Sequence, residues 1–190
     1  MIKRTGALMV IITALSGCSN QGKHQLFSKK LNNENNIIRI KPNFGSHLDK
    51  AEDELRMQLQ DVDVSIIRKY DQITCHIPVH IAFSSGSILH KDIVPVLNSI
   101  AITLKKFSST AIAITGHTDS IGTLEYNLLI SQQRSQIITD YLIEKGVSPH
   151  RFAPPQGFAY KRPIDTNDTQ EGRKNNQRVE INIFPFENKK

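Results

Sequence analysis

Asn127, Ser131 and Arg134 recur at i, i+4 and i+7, which stacks them in one row if the segment is helical. At 100° per residue that row falls on the side carrying Ile130, Ile137, Ile138, Tyr141 and Leu142. Gln132, Gln133, Gln136, Thr139 and Asp140 fall opposite. Polar groups on a core-facing row carry a desolvation cost unless something pairs with them. They must therefore either satisfy internal groups or line a pocket for a polar ligand. Just upstream, Thr115-Gly116-His117-Thr118-Asp119 closes a strand and leads through Gly122 into the same helix. A helix N-terminus favours an anion through its unpaired amides and its dipole. An Asp and an Arg converging at such a point can hold a zwitterion. Arg134 would clamp a carboxylate bidentately, and Asp119 would accept from an ammonium. Spacing alone leaves an internal Asp119–Arg134 bridge equally open.

The elements that must position this notch are legible from periodicity. Asp49 to Arg56 reads as a short helix with Leu48, Ala51, Leu55 and Leu59 on one side. Val62 to Ile66 alternates as a strand, Lys69-Tyr70-Asp71 makes a turn, and Ile73, Cys75, Ile77, Val79 and Ile81 alternate again toward Phe83. Asp92 to Phe107 is a helix with its apolar stripe at Ile93, Val96, Leu97, Ile100, Ala101 and Leu104. Ala111 to Ile114 is a short buried strand. Glu125 to Lys145 is a longer helix with Gly146 just past its end. The last strand, Val179 to Phe184, points Val179, Ile181 and Ile183 inward. Ala153 to Arg178 is a long polar loop broken by Pro154, Pro155 and Pro163, which must be pinned or mobile. Hairpin, helix, strand, helix, loop, strand predicts an α+β fold, two main helices packed on one face of a mixed sheet.

The N-terminus supplies a different chemistry. Lys3 and Arg4 precede an uncharged apolar run from Ala7 to Leu15, then Leu15-Ser16-Gly17-Cys18. The run is shorter than the ~20 apolar residues a membrane span requires. It has the layout of a cleavable secretory signal and resembles a bacterial lipobox, which implies lipidation of Cys18 and lasting membrane anchorage. Ser19, rather than Asp, after the cysteine predicts sorting to the outer membrane, with the domain facing the periplasm. Ser19 to about Ser46, rich in Asn, Lys, Gln, Ser and Gly, reads as a tether. The expected organisation is a signal peptide over 1–17 and a lipidated cysteine with flexible tether over 18–47. A short helix and lead-in strand occupy 48–71, and a binding domain 72–190. With Cys18 acylated, Cys75 is left alone in a strand-like apolar context, where it reads as a small buried hydrophobe. The formal net charge of +6, two of it from Lys3 and Arg4, is spread out. It suits an anionic wall or membrane surface and, with export, argues against a nucleic-acid role.

The spaced residues Gly116-His117-Thr118-Asp119, Gly122, Tyr126-Asn127, Ser131-Gln132-Gln133-Arg134, Gly146-Val147, Arg151, Gly157, Pro163, Asn167, Gly172-Arg173 and Asn176 to Ile181 resemble the signature of the OmpA-like peptidoglycan-binding domain. The resemblance spans roughly Ile73 to Ile183 and implies a βαβαβ sandwich. It also implies non-covalent binding of the meso-diaminopimelate arm of the peptidoglycan stem peptide. The residues matching Asp119 and Arg134 grip the ammonium and carboxylate at that arm's free end. Those matching Thr118 and Asn127 shape the pocket, and Phe83 to Ser87 matches the loop after the first domain strand. The chain departs from the pattern at Ser84, where the family often has an acidic residue, at Gln177, where it usually has an arginine, and at Ile130, where it usually has Leu.

The implied function is a wall tether, with a wall-anchoring subunit of an envelope machine such as a type IV secretion system as the alternative. The layout is also similar to small lipoproteins of this family that accompany secretion apparatus, so envelope or secretion-apparatus proteins are candidate partners. An enzyme would need a nucleophile–base pair or a metal cluster. His76 and His80 share a strand face near His117, but there is no third ligand in an i, i+4 frame. No cofactor and no catalytic residue is expected. Arg173 and Arg178 read as half-buried partners for carboxylates such as Glu180 or Glu171.

Overall fold

Alternation of apolar residues on three neighbouring strands builds the platform. In the computed structural model, which describes residues 43–185, the sheet runs in the order β1-β2-β7-β5-β6. The strands are β1 (Ser65–Lys69), β2 (Gln72–Pro78), β5 (Thr110–Gly116), β6 (Gln156–Gly157) and β7 (Arg178–Pro185). All pairings are antiparallel except β5 with β6. The register sets Ile73, Cys75 and Ile77 of β2 opposite Ile183, Ile181 and Val179 of β7, and Ile112 and Ile114 of β5 opposite Ile183 and Ile181. With a side-chain period of two, all of these point to one face and are buried. The opposite face carries polar ladders: Gln72 and Thr74 bond Asn182.

Helices α1 (Asn43–Gln58), α3 (Val94–Lys106) and α4 (Leu124–Glu144) enclose the apolar core. The two main helices stand as expected, and α1 joins them, burying Leu48, Ala51, Leu55 and Leu59. It begins at Asn43, ahead of the Asp49–Arg56 run that signalled it. The signal segment, Cys18 and most of the tether expected from the sequence lie outside the described residues.

Three local differences from the sequence reading have physical causes. The alternation from Ile73 to Ile81 does not stay a strand, because Pro78 has no N–H for the ladder and caps a single helical turn, α2 (Val79–Ala82). The stretch after it is a small hairpin, β3 (Phe83–Ser85) with β4 (Ile88–Leu89), turned at Gly86 with φ +53°. The first turn of the Asp92–Phe107 helix is a 3-10 turn at Lys91–Ile93, with Pro95 in the first turn of α3 proper.

The long polar loop is pinned. Fully buried Asn176, at the end of α5 (Gln170–Asn176), accepts from the amides of Ile164 (2.9 Å) and Asp165 (3.0 Å) and donates to Asp165 O (2.8 Å). Arg178 donates to Glu180, to Asn176 O and to Arg162 O. Buried Arg151 donates to the carbonyls of Leu104, Phe107 and Thr110. It thereby closes the C-terminal end of α3, where the helix dipole welcomes a cation.

Candidate functional site

The notch is positioned by an unusually close helix–sheet approach. A Cβ on Gly116 would sit 2.0 Å from the carbonyl oxygen of Ser131, and one on Gly157 would sit 2.3 Å from the amide of Gln132. Only glycine lets the backbone of α4 lie directly on β5 and β6 at these points. Small residues line the contact on the helix side: Ser131 and Ser135 are fully buried and Thr139 nearly so. Their hydroxyls bond back to Leu128 O, Gln132 O and Ser135 O. Thr139 thus leaves the outward face assigned by periodicity, while Gln132 stays exposed. Gln132 clamps β6 from both sides, donating to Pro155 O (2.9 Å) and accepting from Gly157 N (2.8 Å).

Two residues of the polar row, Ser131 and Asn127, satisfy internal groups. Ser131 serves the interior, accepting from Ala159 N at 3.1 Å. Asn127 is 4% exposed and donates to Ile121 O at 2.9 Å, holding the loop between Gly116 and α4. That loop turns at Gly122 (φ +91°) and enters α4 through Thr123, whose hydroxyl accepts from Tyr126 N. Thr118 is buried, its hydroxyl donating to Asp119 O and its amide to Ala159 O.

Asp119 is 6% exposed. One carboxylate oxygen accepts from Ile121 N (3.0 Å) and the other from the side-chain amide of Gln177 (2.6 Å). Both donors are neutral, and among the described residues no ion pair reaches this carboxylate. Arg134 is half-buried; its Nε donates to Gly86 O at 2.8 Å, and its guanidinium lies 5.5 Å from the Phe83 ring centroid. Burial pulls its pKa below the ordinary value, opposed by Tyr126 and by the charge of Asp119. The two charges feel each other without bonding. A carboxylate offers about four lone-pair positions and a guanidinium five N–H groups, so both keep unused valency.

Asp119 forms part of a cleft of about 630 Å³ whose other wall, Arg173, Lys174 and Gln177, comes from α5 and the residue that joins it to β7. Arg134 is not among the residues lining it and stands instead beside the β3–β4 turn. The Gly86 carbonyl, the Phe83 ring and the Gln177 amide are parts of the site that pattern reading did not assign. Gln177 stood out only as a departure. Arg178 does pair with Glu180. Arg173 has no carboxylate partner among the described residues, and its Nη1 donates to Asn167 O and Asp168 O.

The histidines serve the frame. His117 is 1% exposed, stacked on Phe158 and 3.1 Å from the Thr115 hydroxyl, and it stands near Glu180, as does His76. Desolvation lowers the pKa of both. Among the described residues no cluster of His, Cys, Asp or Glu could hold a metal ion. Cys75 is fully buried, and burial pushes its thiol up to about 12.

Residues 83–177 match the OmpA family. The chain is similar to probable lipoprotein YiaD of Escherichia coli (strain K12), 35% identical over 143 residues, covering 75% of this chain and 65% of that protein. It is 36% identical over 104 residues to peptidoglycan-binding protein ArfA of Mycobacterium tuberculosis, covering 55% of this chain and 31% of that one. Among solved structures, the cell wall anchor of the T6SS from Pseudomonas aeruginosa superposes with a TM-score of 0.59 at 29% identity, covering 76% of this chain and 99% of that one. The matches span less than two thirds of the length of these curated relatives.

Proposed function

Because the chain belongs to the OmpA family, we propose that it is a wall-binding protein, not a catalyst. It holds the diaminopimelate arm of the peptidoglycan stem peptide and, through a lipid on Cys18, ties the outer membrane to the wall. The observation that carries this reading is the state of the two charges. Asp119 is buried against neutral donors only, and Arg134 is half-buried with most of its fork unused. Leaving a buried carboxylate without a counter-ion is costly, and a ligand ammonium relieves that cost. An internal bridge would have joined the two side chains to each other. Thr118 and Asn127 act by holding the loop that presents Asp119. The relatives named for peptidoglycan binding and for cell-wall anchoring support the same function.

Sedimentation with purified sacculi tests it. Diaminopimelate-type sacculi should retain the protein, and lysine-type sacculi, which offer Arg134 no carboxylate, should retain it far less. Equal retention would overturn the pocket chemistry. For the anchor, Cys18→Ala and globomycin should each leave uncleaved precursor or release the protein from membranes, and an unchanged mature mass would refute lipidation. A second reading, a wall anchor dedicated to an envelope machine, is supported by the likeness to the T6SS cell wall anchor. Co-purification after mild crosslinking of native membranes separates the two, since a simple tether brings down no apparatus subunits.

A further inference from the structure

We propose that Arg173 and Lys174 form an anion subsite across the cleft from Asp119, and that it takes a second carboxylate of the same stem peptide. The inference rests on the reading of Asp119 as the partner of the ligand's ammonium. Both cations line the 630 Å³ cleft that Asp119 closes on its other side. Arg173 is held in place by its Nη1 bonds to Asn167 O and Asp168 O, which leave Nε and Nη2 without a partner among the described residues. Its fork is therefore oriented and still able to bind, the condition that favours bidentate capture of a carboxylate. Lys174 beside it makes no hydrogen bond or ion pair among the described residues. Glu171 also lines the cleft but pairs with neither cation.

Charge counting points to the occupant. With its alanine nitrogen acylated, as in the wall, a stem tripeptide of N-acyl-L-alanine, γ-linked D-glutamate and meso-diaminopimelate carries one ammonium, on the diaminopimelate arm. It carries carboxylates on that arm, on the α-carbon of D-glutamate and at the peptide's C-terminus. Asp119 and Arg134 account for the arm alone. The remaining negative charge needs a cationic wall, and Arg173 with Lys174 supplies one in the cleft that Asp119 lines and Arg134 does not.

The test is calorimetric titration of the full chain with the tripeptide, with two analogues amidated at the D-glutamate α-carboxylate or at the C-terminus, and with free meso-diaminopimelate. Lys174→Glu is the main variant, because the Lys174 side chain makes no hydrogen bond or ion pair among the described residues. The pair Arg173→Gln with Lys174→Gln is the second, with thermal melting as its control. Lys174→Glu should weaken tripeptide binding about tenfold and leave free meso-diaminopimelate unaffected. It should cost nothing against one of the two amidated peptides, which names the carboxylate. No loss with the tripeptide, or the same loss with every ligand, would overturn the subsite. Asp119→Asn reports separately on the parent reading. If that variant binds tripeptide like wild type, the ammonium assignment falls, while the Lys174–amide comparison still decides the subsite.

Discussion

Arg134→Gln separates ligand chemistry from structural support more cleanly than any other substitution. Among the described residues Arg134 makes one side-chain hydrogen bond, to Gly86 O, and one cation–π contact, with the Phe83 ring. Such a bond contributes about 1 kcal/mol net, and the cation–π contact at a half-exposed site ~0.5–1 kcal/mol. Glutamine retains the length to reach Gly86 O, so the folding cost should stay near ~1 kcal/mol. Toward the ligand the loss is larger. The substitution leaves a ligand carboxylate desolvated against a neutral group, which costs ~2–5 kcal/mol, or at least about thirtyfold in affinity. Titration of wild type and variant with the stem tripeptide, beside thermal melts of both, measures the two quantities independently. Affinity should fall by more than an order of magnitude while the melting temperature moves by a few degrees. A variant whose affinity loss is matched by its loss of stability would refute the reasoning and return Arg134 to a structural role.

Gly116→Ala places a Cβ against the Ser131 carbonyl with no flexible side chain to give way, so α4 must shift; we expect a loss of about 3 kcal/mol in urea titrations, and weaker binding because α4 carries Arg134. Cys75, with its thiol pushed up to about 12, should resist thiol reagents at pH 8 until urea unfolds the chain, and Cys75→Val should cost no more than ~1 kcal/mol and leave sacculus binding intact. Acid should destabilise the domain in two stages. His76 and His117 have lowered folded pKa values, so the unfolded chain binds more protons and stability falls as pH drops below about 6.5. Burial alone would raise Glu180, but His117 and Arg178 outweigh it and hold it down to about 2, so its contribution is lost between its ordinary 4.5 and that value. A urea midpoint that stays flat from pH 7.5 to 5 would contradict the first stage.

The sequence carried the fold wherever one side of an element is uniformly apolar. Ile73, Cys75 and Ile77 alternate against Val179, Ile181 and Ile183, and the stripe of α3 is continuous, so both were legible as core. It failed where backbone geometry or distant partners decide. Pro78 turns an alternating run into a helical turn. The β3–β4 hairpin has too few residues to show a period. Thr139 reads as solvent-facing but is buried, on the helix that Gly116 and Gly157 draw onto the sheet. Asp119 and Arg134 could be chosen from residue type and spacing. That the two are not bonded to each other, and that Gln177 holds Asp119 from 58 positions away, only the assembled chain reveals.

The site is discontinuous: Gly86, Asp119, Gln177 and the pair Asn127 and Arg134 on α4 come from four separate stretches, and Gln177 immediately precedes the strand at the centre of the sheet. No fragment or partly opened form presents both charges in position, so the ligand is blind to everything but the native state. Occupancy then becomes a source of stability, worth ~2.7 kcal/mol when ligand stands at a hundred times its Kd. On the proposed function, a copy seated on the wall would open, and be cut by proteases, less often than a copy that has drifted free. Turnover would select for molecules in their working place.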